Sequence, residues 1–132
     1  MNAAIAKMIL LLHGASDFNV MQGDTLRDPK ILQGGNIAKF DCVIANPPFS
    51  LENWGATEWS SDKYKRNIYG TPSDSCGDYA WIQHMICSMS SGKGRMAVVM
   101  PQGILFRGNQ EAEIRKQLVE SDLIEAVVTL GD

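Results

Sequence analysis

No stretch of this 132-residue chain holds the roughly 18 consecutive apolar residues that a membrane span needs. Its first residues also lack the basic start, apolar run and small-residue cleavage site of a signal peptide. A cytoplasmic protein is the expectation. Cysteine is scarce: Cys42, Cys76 and Cys87 are odd in number and stand in neither CxxC nor His-Cys spacing. A disulfide framework and a zinc site are both unsupported, and no metal ligand is expected. Positive charge is scarce as well. The 12 Lys and Arg against 15 Asp and Glu leave a formal net charge of -3, which argues against a free-standing DNA clamp, because phosphate neutralisation demands a basic surface. There is no internal repeat, no low-complexity segment, and no glycine-rich turn directly after a strand: Gly34-Gly35 does not follow one, and Gly92-Lys93-Gly94 precedes one.

What is present is enough apolar residue, 45%, for one domain over residues 1–132 with a real core. Ile5, Met8, Ile9 and Leu12 form a helical stripe over residues 2–13, stopped by Gly14, and predict a helix packed on something. Phe18 to Met21 and Phe40 to Ala45 read as short buried strands ending at Gly23-Asp24 and at Asn46-Pro47-Pro48. Residues 50–76 are polar, hold Trp54 and Trp59 without a period, and read as a loop of unusual length; loops that long are functional or disordered. Asp78 can cap a helix whose stripe is Tyr79, Ile82, Met85, Ile86 and Met89, closed by Gly92. Arg95 to Met100 is a strand stopped by Pro101. Asn109 starts a helix with Glu111 and Glu113 in its first turn and Glu111 four residues before Arg115, a supportive spacing. Leu123 to Leu130 reads as a last strand. Apolar strands alternating with helices predict a doubly wound α/β fragment with a mostly parallel sheet flanked by helices.

One tetrapeptide carries chemistry. Asn46-Pro47-Pro48-Phe49 follows a strand directly, and ligands in open α/β sheets bind beyond the carboxyl ends of strands. An exocyclic amine such as adenine N6 is a poor nucleophile because its lone pair is delocalised into the ring. Two acceptors on its two N–H bonds raise its electron density, and Asn46 can supply a side-chain carbonyl and Pro47 a main-chain one. The prolines fix φ and remove competing donors, so both acceptors are preorganised. Phe49 can stack on a base extruded from a duplex. The plainer alternative is a Pro-Pro pair that ends a strand, with Asn as a turn residue and Phe as a core plug.

The run Phe40-Asp41-Cys42-Val43-Ile44-Ala45-Asn46-Pro47-Pro48-Phe49-Ser50 resembles the catalytic motif of amino-methylating DNA methyltransferases, and closely that of the modification subunit of type I restriction-modification systems. Met8 to Gly14, Gly23 to Leu26, Asp78 to Trp81 with His84, Gly94 to Pro101, and Gly103 to Gly108 with Glu111, Ile114 and Arg115 are similar to that subunit's successive motifs in order. The resemblance covers essentially the whole chain. It implies a partial Rossmann-like class I methyltransferase fold and a DNA adenine-N6 methyltransferase using S-adenosylmethionine, with Asn46, Pro47, Pro48 and Phe49 as catalytic residues. It also implies that Asp24 accepts from the cofactor's adenine amino group and that Thr25, Leu26 and Asn46 border the cofactor. Read alone, Asp24 is equally a turn or cap aspartate; Asp41 reads as a structural edge carboxylate, His84 as a packed or surface histidine, and Arg107 as either a phosphate contact or an ion pair.

The resemblance further implies double-stranded DNA as substrate, with specificity and restriction subunits as partners. It places the cofactor's glycine-rich loop, and the first strands of the sheet, outside this chain. The strand flank left bare predicts self-association by strand pairing, and the chain alone is expected to be inactive. The alternatives are methylation of protein glutamine or RNA guanine, which Asn-Pro-Pro-aromatic motifs also serve, and a catalytically silent piece that only dimerises or binds partner subunits.

Overall fold

The computed structural model describes residues 2–131, so the outermost residues of the expected 1–132 domain, Met1 and Asp132, lie outside the description. Four helices and four short strands follow in the order α1 (Asn2–Leu12), β1 (Leu32–Gln33), β2 (Asn36–Ile37), β3 (Cys42–Ala45), α2 (Ala56–Ser60), α3 (Asp78–Ser88), β4 (Arg95–Val98) and α4 (Asn109–Glu120), with a 3-10 turn at Gln102–Leu105. Helix α1 forms where its Ala, Leu and Met content favours it, and Gly14 ends it at φ +78°. Its expected packing is not observed: none of its residues is buried, and Ile5, Met8, Ile9 and Leu12 are all exposed among the described residues. Helix propensity is local, whereas burial needs a second surface.

The strand expected at Phe18–Met21 is irregular chain instead. Gly34-Gly35, read as unattached to any strand, joins the antiparallel pair β1–β2, with Leu32 opposite Ile37 and Gln33 opposite Asn36. Both glycines have positive φ, +58° and +80°, as a two-residue hairpin matched to strand twist requires.

Strands β3 and β4 are parallel, Cys42 to Ala45 lying opposite Arg95 to Val98 in order. The chain between them runs through α3, the crossover a parallel pair requires. Phe40 adds a bridge to Met89 just before the ladder, bonded through Phe40 N to Ser88 O and Ser90 N to Phe40 O, both 2.8 Å. The expectation of buried strands does not hold for the described residues: β3 alternates exposed and half-buried positions, and Ile44 is 75% exposed.

The core is centred on α3, with a cluster on either side. Ala80 packs with Leu26, Trp54 and Trp59; Tyr79 packs with Ile104, Ile114 and Leu118 of the chain that follows β4. Residues 50–76 form the expected long loop apart from one short helix, but the loop is packed into the core. They contain α2 and contribute Trp54 and Trp59, both almost fully buried and edge-to-face at 5.6 Å. Two tryptophans bury as much surface as a whole apolar stripe while showing no period. Gly77 is needed at this contact, since a Cβ there would stand 2.9 Å from Cγ of Trp54. The expected last strand, Leu123–Leu130, is exposed irregular chain with no ladder partner among the described residues. β-branched content fits a strand to a sheet but does not create one without a neighbour.

A charged cluster lies beside the tryptophans. Arg66 is 1% exposed and pairs with the buried Asp62 at 2.8 Å, and its guanidinium lies 4.4 Å from the Trp59 ring centre. His84 on α3 faces it, Nδ1 lying 3.2 Å from Arg66 Nη1. Because guanidinium only donates, this ring nitrogen is the acceptor and the histidine is neutral. Burial first, then the Arg66 charge, push the His84 pKa down from the ordinary 6.5 to about 4. The unfolded chain thus binds a proton between these values that the folded chain refuses. Stability is full above the unfolded pKa and falls as pH drops towards 4. Equilibrium urea unfolding is expected to show a loss of roughly 2–3 kcal/mol across that window, absent in His84→Asn; a flat profile in the parent chain would contradict the buried neutral ring.

Candidate functional site at the end of strand β3

The tetrapeptide Asn46-Pro47-Pro48-Phe49 leaves β3 at its carboxyl end, where the ladder closes with Val99 N donating to Ala45 O at 3.1 Å. Pro47 is buried, while Asn46 and Pro48 are exposed and Phe49 is 48% exposed. The Asn46 side chain makes no hydrogen bond among the described residues, so its carbonyl and amide face outward uncommitted. The aromatic ring is not the core plug of the plainer alternative, since about half of it is open to solvent.

The far end of the tetrapeptide is held by charge. Ser50 takes a positive φ of +49°; its N–H donates to Asp78 Oδ1 at 2.7 Å, and its Oγ accepts from Arg107 Nη2 at 3.0 Å. Arg107 Nη1 donates to Asp78 Oδ2 at 2.5 Å, closing a triangle on Ser50. Asp78 is fully buried. Expected as a helix cap, it occupies the first turn of α3, where the N-cap is Gly77, and its carboxylate serves the neighbouring chain instead. Arg107 resolves as an ion pair, held above its ordinary pKa first by the bond to Asp78. It also lies 3.6 Å from the buried Glu111, whose expected partner Arg115 instead donates to the carbonyls of Ile104 and Arg107 at 3.2 and 2.9 Å. Gly77 N to Leu51 O and Asn53 N to Asp74 O, both 2.9 Å, complete the anchorage. A cavity of about 650 Å³ opens beside Ser50, with Ser73, Ser75, Arg107, Asn109 and Gln110 in its wall.

The residues expected to border a cofactor lie in a tight turn. Asp24 Oδ1 accepts from the N–H groups of Leu26 and Arg27, both at 3.0 Å, which is the turn-aspartate geometry. Its side chain is about half exposed, and among the described residues its Oδ2 meets only Arg27 Nη1, at 3.5 Å. Thr25 is exposed and Leu26 is buried against Trp54 and Trp59. Arg27 donates to the Asn53 carbonyl, so the Asp24–Leu26 turn is fastened to the chain that leaves the tetrapeptide. Asp41 is an exposed carboxylate paired with Lys93 at 3.0 Å; this pair and the bonds of Ser90 hold its pKa below the ordinary value, the Ser90 bond most. Cys76 is buried against Arg107, and burial pushes its thiol up to about 11, which makes it inert. Asp78 and Arg66 were not legible as site-shaping residues: the one read as a cap, and the other carries no local signal.

A strand end with uncommitted acceptors, backed by a parallel pair and a buried ion pair, is the class of site that α/β proteins use for ligands. The comparisons agree with that class. The family model described as N-6 DNA Methylase matches residues 1–132, and the chain belongs to that family. It is 36% identical over 138 residues to the type I restriction enzyme MjaVII methylase subunit of Methanocaldococcus jannaschii, which covers 98% of this chain and 23% of that one. It is 32% identical to the HindI methylase subunit of Haemophilus influenzae, covering 96% and 27%. The crystal structure of the type I restriction-modification methyltransferase subunit from Streptococcus thermophilus superposes with a TM-score of 0.78 at 33% identity, over 89% of this chain and 25% of that one. The α/β fold is shared with that subunit, and the chain spans about a quarter of the length of the relatives it matches.

Removing the carboxylate in Asp78→Ala leaves Arg107 without its partner and Ser50 N–H without an acceptor. A stability loss of roughly 2–4 kcal/mol is expected in chemical denaturation, reduced from the fully buried case because Arg107 is partly solvated. An unchanged midpoint would show that the triangle does not hold the loop.

Proposed function

We propose that this chain forms the target-base part of a DNA adenine-N6 methyltransferase of the type I modification-subunit kind, on a partial Rossmann-like sheet whose first strands lie outside it. The observation that carries the reading is the geometry of Asn46-Pro47-Pro48-Phe49: two acceptors without a hydrogen-bond partner among the described residues and an open ring at the end of a parallel strand. Asn46 accepts one N–H of the adenine amino group through its side chain, and Pro47 accepts the other through its carbonyl. Phe49 stacks on the extruded base, and Pro48 keeps the turn free of a competing donor. Polarising both N–H bonds strengthens as positive charge develops on nitrogen, so the acceptors stabilise the transition state more than the ground state. No side-chain base is required, because the cationic amine that results is acidic enough to give its proton to water.

S-adenosylmethionine supplies an electrophilic methyl group when bound. Asp24, Thr25, Leu26 and Asn46 would border it, and the donor set fits: Asp24 has one oxygen committed to its turn, while the other meets Arg27 at a long 3.5 Å and keeps a lone pair to accept from an amino group. Double-stranded DNA as substrate, specificity and restriction subunits as partners, and a cytoplasmic location belong to the same reading. Among the described residues no helix is long and apolar enough to cross a membrane. The names of the relatives, all methylase subunits of type I restriction enzymes, favour DNA over protein glutamine or RNA guanine.

The test is Asn46→Ala in an active assembly containing this chain. Methyl transfer to adenine is expected to vanish while cofactor binding, which keeps Asp24, Thr25 and Leu26, is at most weakened, and Phe49→Ala to weaken binding of an extruded adenine by roughly 1–3 kcal/mol. Retained turnover in Asn46→Ala would remove the reading. The exposed Ile44 and the edge of β3 that pairs with no strand among the described residues support a further part of it, that the chain self-associates by strand pairing; that it is inactive alone belongs to the same reading. Light scattering and a methylation assay on the isolated chain check both; an active monomer would overturn them.

A further inference from the structure

We propose that Arg66 is a positioning residue for the Asp24–Leu26 turn, setting where that turn presents its carboxylate to S-adenosylmethionine; the proposal rests on the reading of the turn given above. Arg66 Nη1 donates to the Thr25 carbonyl at 3.0 Å and Nη2 to the Leu26 carbonyl at 2.7 Å. These are the two carbonyls of the turn that follow Asp24, reached from 41 and 40 residues away. The guanidinium is itself immobilised. Nε and Nη2 donate to the two oxygens of Asp62 at 2.9 and 2.8 Å, and the Arg66 N–H donates to Asp62 at 2.9 Å. The Trp59 ring lies 4.4 Å away, and His84 accepts from Nη1 at 3.2 Å.

The arrangement acts by geometry and not by net charge. Asp62 neutralises the guanidinium inside the protein, so little positive field reaches the turn's surface. What reaches it is position. Asp24 Oδ1 is committed to the turn's own N–H groups, so the direction of Oδ2 follows the turn's backbone, and Arg66 holds that backbone through the two carbonyls after Asp24. The planar fork serves two carbonyls and a carboxylate at once, which the single point charge of lysine does not. The same segment runs back through Trp59 and Trp54 to Ser50, so the turn and the tetrapeptide are joined to one buried cluster, Leu26 packing on the tryptophans and Ser50 bonding to Asp78 of α3.

The test is Arg66→Lys in an assembly containing this chain. S-adenosylmethionine affinity is measured by calorimetric titration in the absence of DNA, where Kd is expected to rise about tenfold or more; an unchanged Kd would overturn the proposal. S-adenosylmethionine and DNA are then varied separately in turnover. KM for S-adenosylmethionine is expected to rise about tenfold or more, while kcat and the KM for DNA stay within about twofold. An unchanged cofactor KM, or equal losses on both substrates, would overturn the proposal, because a residue that only holds the fold together affects both. Should Arg66→Lys not fold, Asp62→Asn loosens the guanidinium while leaving its carbonyl bonds, and is judged by the same split. Asp24→Ala, measured in parallel, separates the two levels. If it leaves the cofactor KM unchanged, the reading of the turn fails and the proposal falls with it; if it raises that KM and Arg66→Lys does not, only the proposal fails.

Discussion

The constraint on which this structure depends is a buried positive charge that must be satisfied on every side. Taking a guanidinium out of water is costly unless its N–H groups find acceptors and its charge finds a partner. Arg66 meets both demands through Asp62, the carbonyls of Thr25 and Leu26, and the ring of His84. Those acceptors come from three stretches of chain far apart in sequence, so satisfying one side chain closes residues 24–27, residues 59–66 and α3 upon one another. The Trp54–Trp59 pair then finds its apolar wall in Leu26 and Ala80. A segment rich in polar residues thereby becomes the centre of a core.

The second buried charge has a different consequence. Asp78 stands at the start of α3, where the helix N-terminus favours an anion, and its two oxygens divide between the backbone of Ser50 and Arg107. This ties the exit of the tetrapeptide to the helix beneath it, while the β3–β4 ladder ties the entry. A short peptide held at both ends, with prolines between, has little freedom left to lose when a ligand arrives. Preorganisation of acceptors is what a site needs when it activates a weak nucleophile by hydrogen bonding alone.

Local signals were dependable wherever the physics is local. The helices at residues 2–12, 78–88 and 109–120, and the strands before Asn46 and Pro101, stand close to where periodicity, glycine and proline put them, except that the helix from Asp78 ends at Ser88 and not at Gly92, because Met89 turns extended and bridges Phe40. Signals that depend on a distant partner were not. The apolar stripe of α1 predicted packing that is absent among the described residues, and Leu123–Leu130 had the composition of a strand with nothing beside it to pair with. Residues 50–76 are the loop that was expected apart from α2, but their burial was not legible, because two tryptophans and one arginine at irregular spacing leave no period to detect. Glu111 and Arg115 had the spacing of a helical ion pair, yet Arg107 competes for the glutamate and backbone carbonyls take Arg115.

By itself the sequence determined α1, α3 and α4, the end of the parallel strand and the place of Asn46-Pro47-Pro48-Phe49 directly after it, since each rests on covalent geometry and neighbours within a few residues. Only the tertiary structure decided which charges are buried and what they hold: Asp78 on Ser50, and Arg66 on the turn after Asp24. The reason is physical. Dihedral preference is a property of adjacent residues, whereas desolvation and its compensation by hydrogen bonds exist only once remote segments meet.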